Sequence, residues 1–145
     1  MKKIGLVLAA ATLSGCLTAP LSDVEDYSAL SWGNEGSLFG AIRTTLTPDD
    51  LYVVEVRGAD GQRRQTVLQG PDGAFADLVV RADAGLRQID DAPADSICLD
   101  YGTDFVELIG VDGRVVARSE AQCPGSDVEP LLRALSDRLR PADGP

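Results

Sequence analysis

Near the end of the chain, apolar residues recur with a helical period. Val128, Leu131, Leu132, Leu135 and Leu139 fall at i, i+3, i+4, i+7 and i+11, while Asp127, Arg133, Asp137, Arg138 and Arg140 lie off that stripe. Ser126 followed by Glu129 has the form of a capping box, and Pro130 is tolerated because first-turn amides have no intrahelical partner. An earlier stripe of Phe75, Leu78, Val79, Ala82, Leu86 and Ile89 predicts another helix, weakened towards its end by Gly85. Elsewhere the runs are short and rich in β-branched and aromatic residues: Ser37 to Thr47, Leu51 to Arg57, Arg63 to Leu68, Ser96 to Tyr101, Asp104 to Val111 and Arg114 to Ser119. Pro48-Asp49-Asp50 and Gly58-Ala59-Asp60-Gly61 separate the first three. Asp112-Gly113 predicts a two-residue hairpin turn with both positions at positive φ. The expected fold class is α+β: an antiparallel sheet of about five short strands packed against one or two helices, in the order β-β-β-α-β-β-α.

The N-terminus has a different pattern. Lys2 and Lys3 precede an apolar run from Ile4 to Leu13, with Ser14 and Gly15 leading into Cys16, which reads as a secretory signal. The run is too short for a permanent span, which needs roughly 20 apolar residues. Leu13-Ser14-Gly15-Cys16 resembles the lipobox of bacterial lipoproteins. That resemblance implies cleavage before Cys16, a diacylglyceryl group on its thiol and acylation of the new amine. Several acyl chains anchor stably where one gives only marginal binding. An ordinary signal peptide with a coincidental cysteine is the competing reading, and it would leave a free thiol in an oxidising compartment. Leu17 stands where an inner-membrane retention Asp would be, so the resemblance implies a lipid-anchored protein on the periplasmic face of the outer membrane of a Gram-negative bacterium. The expected organisation is a signal peptide over 1–15, a lipidated cysteine and tether over 16–30, one α+β domain over 31–140 and a tail over 141–145.

Composition narrows the chemistry. The 145 residues carry 23 acids against 13 Lys and Arg, a net charge of −10. Nucleic acid is therefore not an expected partner, since phosphate binding needs clustered cations. There is no histidine, and the only lysines are Lys2 and Lys3, inside the signal. That removes Ser-His-Asp and Cys-His constellations, HExxH zinc helices, Schiff bases and phosphate-loop lysines. No cofactor and no metal are expected. Cys98 and Cys123 lie in the exported part without a CxxC spacing, and a disulfide between them is expected.

The acidic sets Asp49-Asp50, Asp90-Asp91 and Asp100 with Asp104 are the nearest approach to a catalytic pair, and they read as turns and strand ends. Asp100 to Asp104 lacks the alternating ligands of a calcium loop. Arg63-Arg64 reads as a solvated strand edge that discourages edge pairing. The partner-contact candidates are Trp32, Asn34, Glu35 and Phe39, in the glycine-rich stretch from Ser31 to Gly40, because aromatics on an exposed loop are a common contact device. The competing reading, which is favoured, has Trp32 and Phe39 closing the end of the sheet over the core.

The layout from Gly36-Ser37-Leu38-Phe39-Gly40-Ala41-Ile42-Arg43 through Leu51, a helix, Asp100-Tyr101, Asp112-Gly113 and a terminal Leu-rich helix resembles emfourin-type small proteins over residues 36 to 140. Ser37-Leu38 departs from the glycine of that family's first strand. The resemblance implies a similar fold and inhibition of thermolysin-like metallopeptidases. The function expected first is a non-enzymatic binding or envelope-structural module engaging an envelope protein. The alternative is an emfourin-like inhibitor that places a loop such as Trp32 to Gly36 in a peptidase cleft.

Overall fold

A computed structural model describes residues 23–89, 98 and 100–140. The expected signal, lipidated cysteine, Asp90-Asp91 and tail lie outside the described residues. Eight regular elements follow a short 3-10 turn at Val24–Asp26: β1 (Tyr27–Ser37), β2 (Gly40–Leu46), β3 (Leu51–Gly58), β4 (Arg63–Gln69), α1 (Ala74–Leu86), β5 (Thr103–Gly110), β6 (Val115–Ala121) and α2 (Val128–Leu139). The strands form one antiparallel sheet in the order β4-β3-β2-β1-β5-β6. A four-strand meander thus grows outwards from β1, and the chain returns through α1 to add β5 and β6 on the other side. The class is α+β, as expected, with one strand more than the expected order.

That additional strand is the centre of the sheet. The tether was expected to run to residue 30, but β1 begins at Tyr27, and Tyr27, Ala29 and Leu30 are buried. A central strand covered on both faces loses the two-residue alternation that makes an outer strand visible in sequence. The expected strand from Ser37 to Thr47 is divided: Ser37 closes β1, Leu38 and Phe39 form the turn, and Gly40 opens β2. Of the expected strand from Ser96 to Tyr101, the described part includes Asp100 and Tyr101, which lie in a turn.

Both helices pack on one face of the sheet, chiefly over β1, β5 and β6. Leu30, Trp32, Leu46, Val106 and Leu108 meet Phe75, Leu78, Val79, Val128 and Leu135 there. The predicted stripes of both helices point into this core, with Leu131 and Leu132 partly buried at its margin. The disulfide between Cys98 and Cys123 is present, with Cα atoms 5.1 Å apart. It ties the approach to β5 to the segment entering α2.

Two local expectations change. Ser126 does not cap α2: the residue before the helix is Asp127, already helical at φ −65° and ψ −17°, and the buried Ser126 Oγ has no partner among the described residues. Glu129 instead accepts from the Gly125 amide at 2.7 Å and from Arg133 at 2.9 Å. In the β5–β6 hairpin only Gly113 has positive φ, at 77°, and the chain closes through Gly110 N–H to Arg114 O at 2.8 Å. One extra residue is thereby accommodated, so Asp112 needs no left-handed conformation. Asp112 Oδ1 accepts the Arg114 amide at 3.0 Å.

The N-terminus of α1 is capped from a distance. Gly73 offers no side chain, and Asp50, in the turn between β2 and β3, accepts the Gly73 amide at 2.7 Å and the Phe75 amide at 2.8 Å. The acidic pair Asp49-Asp50 therefore serves turn and cap, with Asp49 held by the Thr47 hydroxyl. Asp50→Ala is expected to cost about 1–2 kcal/mol, the usual loss for an N-cap. Urea unfolding measures it, and a loss below about 0.3 kcal/mol would mean that water replaces Asp50 at no cost.

Candidate binding face of the sheet

The face turned away from the helices carries alternate residues of every strand. Gly33 of β1 lies between Arg43 of β2 and Phe105 of β5, and Glu107 lies opposite Arg118 of β6. Phe105, directly opposite Gly33, is fully buried. What covers it is a pair of guanidiniums, Arg43 at 4.6 Å and Arg118 at 4.9 Å from the ring centroid. Such contacts contribute about 0.5–1 kcal/mol each where solvent still reaches.

The same two arginines share two carboxylates. Glu107, whose side chain is 4% exposed, accepts from Arg43 at 2.7 Å and from Arg118. Glu35 accepts from Arg118 at 2.8 Å and Arg43 at 3.3 Å, and Arg118 also reaches Glu120. Partial burial pushes the Glu35 carboxyl up, but the hydrogen bonds from Arg118 and Arg43 outweigh it and hold it below the usual glutamate value. Arg118 is held more firmly protonated by its three acids than a free arginine, despite its burial. Every acid here is engaged by a guanidinium, so the cluster offers no free general base. It fastens β2, β1, β5 and β6 together across the open face.

The four contact candidates separate. Trp32 is 2% exposed on the helix side, where its Nε1 donates to Ser136 Oγ at 3.1 Å, so it belongs to the core and not to a contact loop. Asn34 donates to Asp104 at 2.8 Å and to the Tyr101 carbonyl at 3.2 Å. Glu35 is in the arginine network. Phe39 is 86% exposed at the β1–β2 turn beside Leu38, so it does not close the core as expected. The turn is steadied by the Ser37 hydroxyl, which accepts the Phe39 amide at 3.0 Å and donates to the Asp100 carbonyl at 3.2 Å.

Asp104, from one of the acidic sets, also accepts the Tyr101 hydroxyl at 2.7 Å. That bond, aided by burial, pushes the Tyr101 phenol up to about 12. A folded-state value above the unfolded one gives stability that is complete below pH 10 and lost as pH rises towards 12. The absorbance of tyrosinate should report one phenol ionising near 12, and Asp104→Asn should return it towards 10. An unchanged titration in that variant would remove Asp104 as the cause.

Comparison with protein-family models, curated proteins and solved structures gives no match to this chain.

The other distinctive surface is the outer half of the sheet. The helices leave β3 and β4 largely uncovered, and all seven residues of β4 are exposed. β4 ends the sheet and pairs with β3 in unbroken register from Leu51↔Gln69 to Arg57↔Arg63. Val56, Val67 and Leu68 are exposed large hydrophobics here. An open cleft of about 410 Å³ lies at the inner side of this region, with Ala41, Arg43, Glu55, Arg57 and Arg63 among its lining residues. Sequence reasoning missed the arginine network, and of this region it singled out only Arg63-Arg64. The usable signal was Phe105-Val106-Glu107-Leu108, where two-residue alternation puts a charge beside an aromatic on one face.

Proposed function

We propose that the chain is a membrane-anchored, non-enzymatic binding module on the periplasmic face of the outer membrane, held by lipid on Cys16, that engages an envelope protein through the β3–β4 half of its sheet. The observation that carries this reading is β4: a seven-residue edge strand without a bulge, exposed throughout, with apolar side chains on both faces. An uncovered edge of that kind is a template for another chain. Among the described acids of the candidate sets, Asp50 is committed to a helix cap and Asp104 to Asn34 and Tyr101. Two measurements test the reading. Cys16→Ser should lose the acyl label and leave the membrane fraction. A photo-crosslinking residue at Leu68 should capture one envelope protein, while the same residue at Arg114 should not; equal capture at both positions would sink the proposal.

A second reading is favoured by the β1–β2 turn. Leu38 and Phe39 protrude, 67% and 86% exposed, from a turn fixed by Ser37. Such a tip suits an emfourin-like inhibitor of a metallopeptidase. Stoichiometric inhibition of a thermolysin-like enzyme, weakened at least tenfold by Phe39→Ala, is the expected result on this reading, and no inhibition at micromolar concentration rejects it.

A further inference from the structure

In a chain with 23 acids and 13 Lys and Arg, an arginine without an acid is the exception. Among the described residues, Arg43, Arg81, Arg87, Arg114, Arg118, Arg133, Arg138 and Arg140 all form ion pairs. Arg57, Arg63 and Arg64 form none, and all three sit at the turn end of the β3–β4 hairpin. Arg57 and Arg63 are directly opposite each other on the open face, a placement that costs stability by like-charge repulsion. Nearby acids form no ion pair with them: Glu55 accepts from the Gln65 amide at 2.8 Å, and Asp60 from the Gln62 backbone amide at 3.0 Å. Arg64 lies opposite Val56, on the other face.

These cations flank the free edge. Along β4 the open face presents Arg63, Gln65 and Val67, and the opposite face presents Arg64, Thr66 and Leu68. An added strand would therefore meet guanidiniums at one end, on both faces, and apolar side chains at the other. We infer that β4 receives an extended acidic segment of a partner protein, paired as a seventh strand, with carboxylates against Arg57, Arg63 and Arg64 and apolar residues beside Val67 and Leu68. This rests on the binding-module reading and names the chemistry of its partner. A second copy suits the edge less well, since its own β4 brings no carboxylate and leaves all three guanidiniums unneutralised. The arginines then discriminate among strands: neutral and basic edges gain nothing from them, whereas an acidic strand does. At physiological salt the screening length is about 8 Å, so the segment responds to this corner more than to the net charge of the chain.

The test uses a fluorescent seven-residue peptide with glutamates at one end and valines at the other, with fluorescence anisotropy and the amide shifts of residues 63–69 as readouts. Two control peptides accompany it: one with lysine for glutamate, and one with a central proline that keeps the charge but breaks the ladder. The glutamate peptide is expected to bind at least tenfold more tightly than either control, to shift the β4 amides, and to weaken tenfold or more in Arg57→Gln/Arg63→Gln. Equal binding of the proline peptide, an unaffected double variant, or self-association of the protein through β4 would each overturn the inference. Cross-linking at Leu68 without peptide binding would overturn the acidic class alone and leave the binding module standing. Peptide binding without any cross-link in the envelope would do the reverse.

Discussion

Gly33→Ala is expected to cost about 3 kcal/mol or more, among the largest losses for a single methyl group. Gly33 has φ of 153°, and a Cβ there would lie 1.9 Å from the Ile42 carbonyl oxygen and 3.1 Å from the Arg43 Cα. Both obstacles are backbone of the neighbouring strand, so no side-chain rotation relieves them. β2 must move away from β1 at the point where Arg43 reaches across to Glu107. Urea unfolding measures the loss, and the Phe105 ring and Arg43 side-chain resonances should broaden or shift together. A loss under about 1 kcal/mol with unchanged resonances would mean that the close approach of β1 and β2 relaxes freely.

Removing the Cys98–Cys123 bond has a comparable expected cost by a different route. The two cysteines are 25 residues apart. For a closed loop of that size the chain-entropy account gives about 3–4 kcal/mol, through the larger number of conformations restored to the unfolded chain. For a domain of this size that corresponds to a fall in Tm on the order of 10 °C. Cys98→Ser/Cys123→Ser, compared with the oxidised protein by thermal unfolding monitored by circular dichroism, gives the measurement. Two equal Tm values would show that the segment entering α2 is already fixed by Val128 and Leu135 in the core.

The amphipathic helices were legible because each has one dry face. Phe75, Leu78, Val79 and Ala82 in α1, and Val128, Leu135 and Leu139 in α2, are buried as their spacing predicts. Turn residues likewise placed the hairpins, since Gly61 and Gly113 adopt the positive φ that their turns require. The strand at the centre was the least visible. Ser31 and Gly33 sit within β1 on the open face, where neighbouring strands supply the bulk, so their own sequence looks like a loop. The arginine network was hidden for a related reason: Glu35, Arg43, Phe105, Glu107 and Arg118 come from four strands, and only the register brings them together. The corner at Arg57, Arg63 and Arg64 was half visible. Arg63-Arg64 stood out as an edge device, but the opposition of Arg57 to Arg63 depends on the hairpin pairing.

The position of β1 also sets an order of events in folding. Its ladder with β2 closes over a two-residue turn, whereas its ladder with β5 joins Leu30 to Leu108. Closing the second ring carries a greater loop entropy, so that pairing is expected to form after the meander. As the chain emerges from its N-terminal end, the meander can assemble early and wait, with one flank of β1 bare and Leu30 and Trp32 unshielded until β5 arrives. Molecules halted in that interval would meet one another through β1 instead of β4, which makes the last strand pair the kinetic safeguard of the whole sheet.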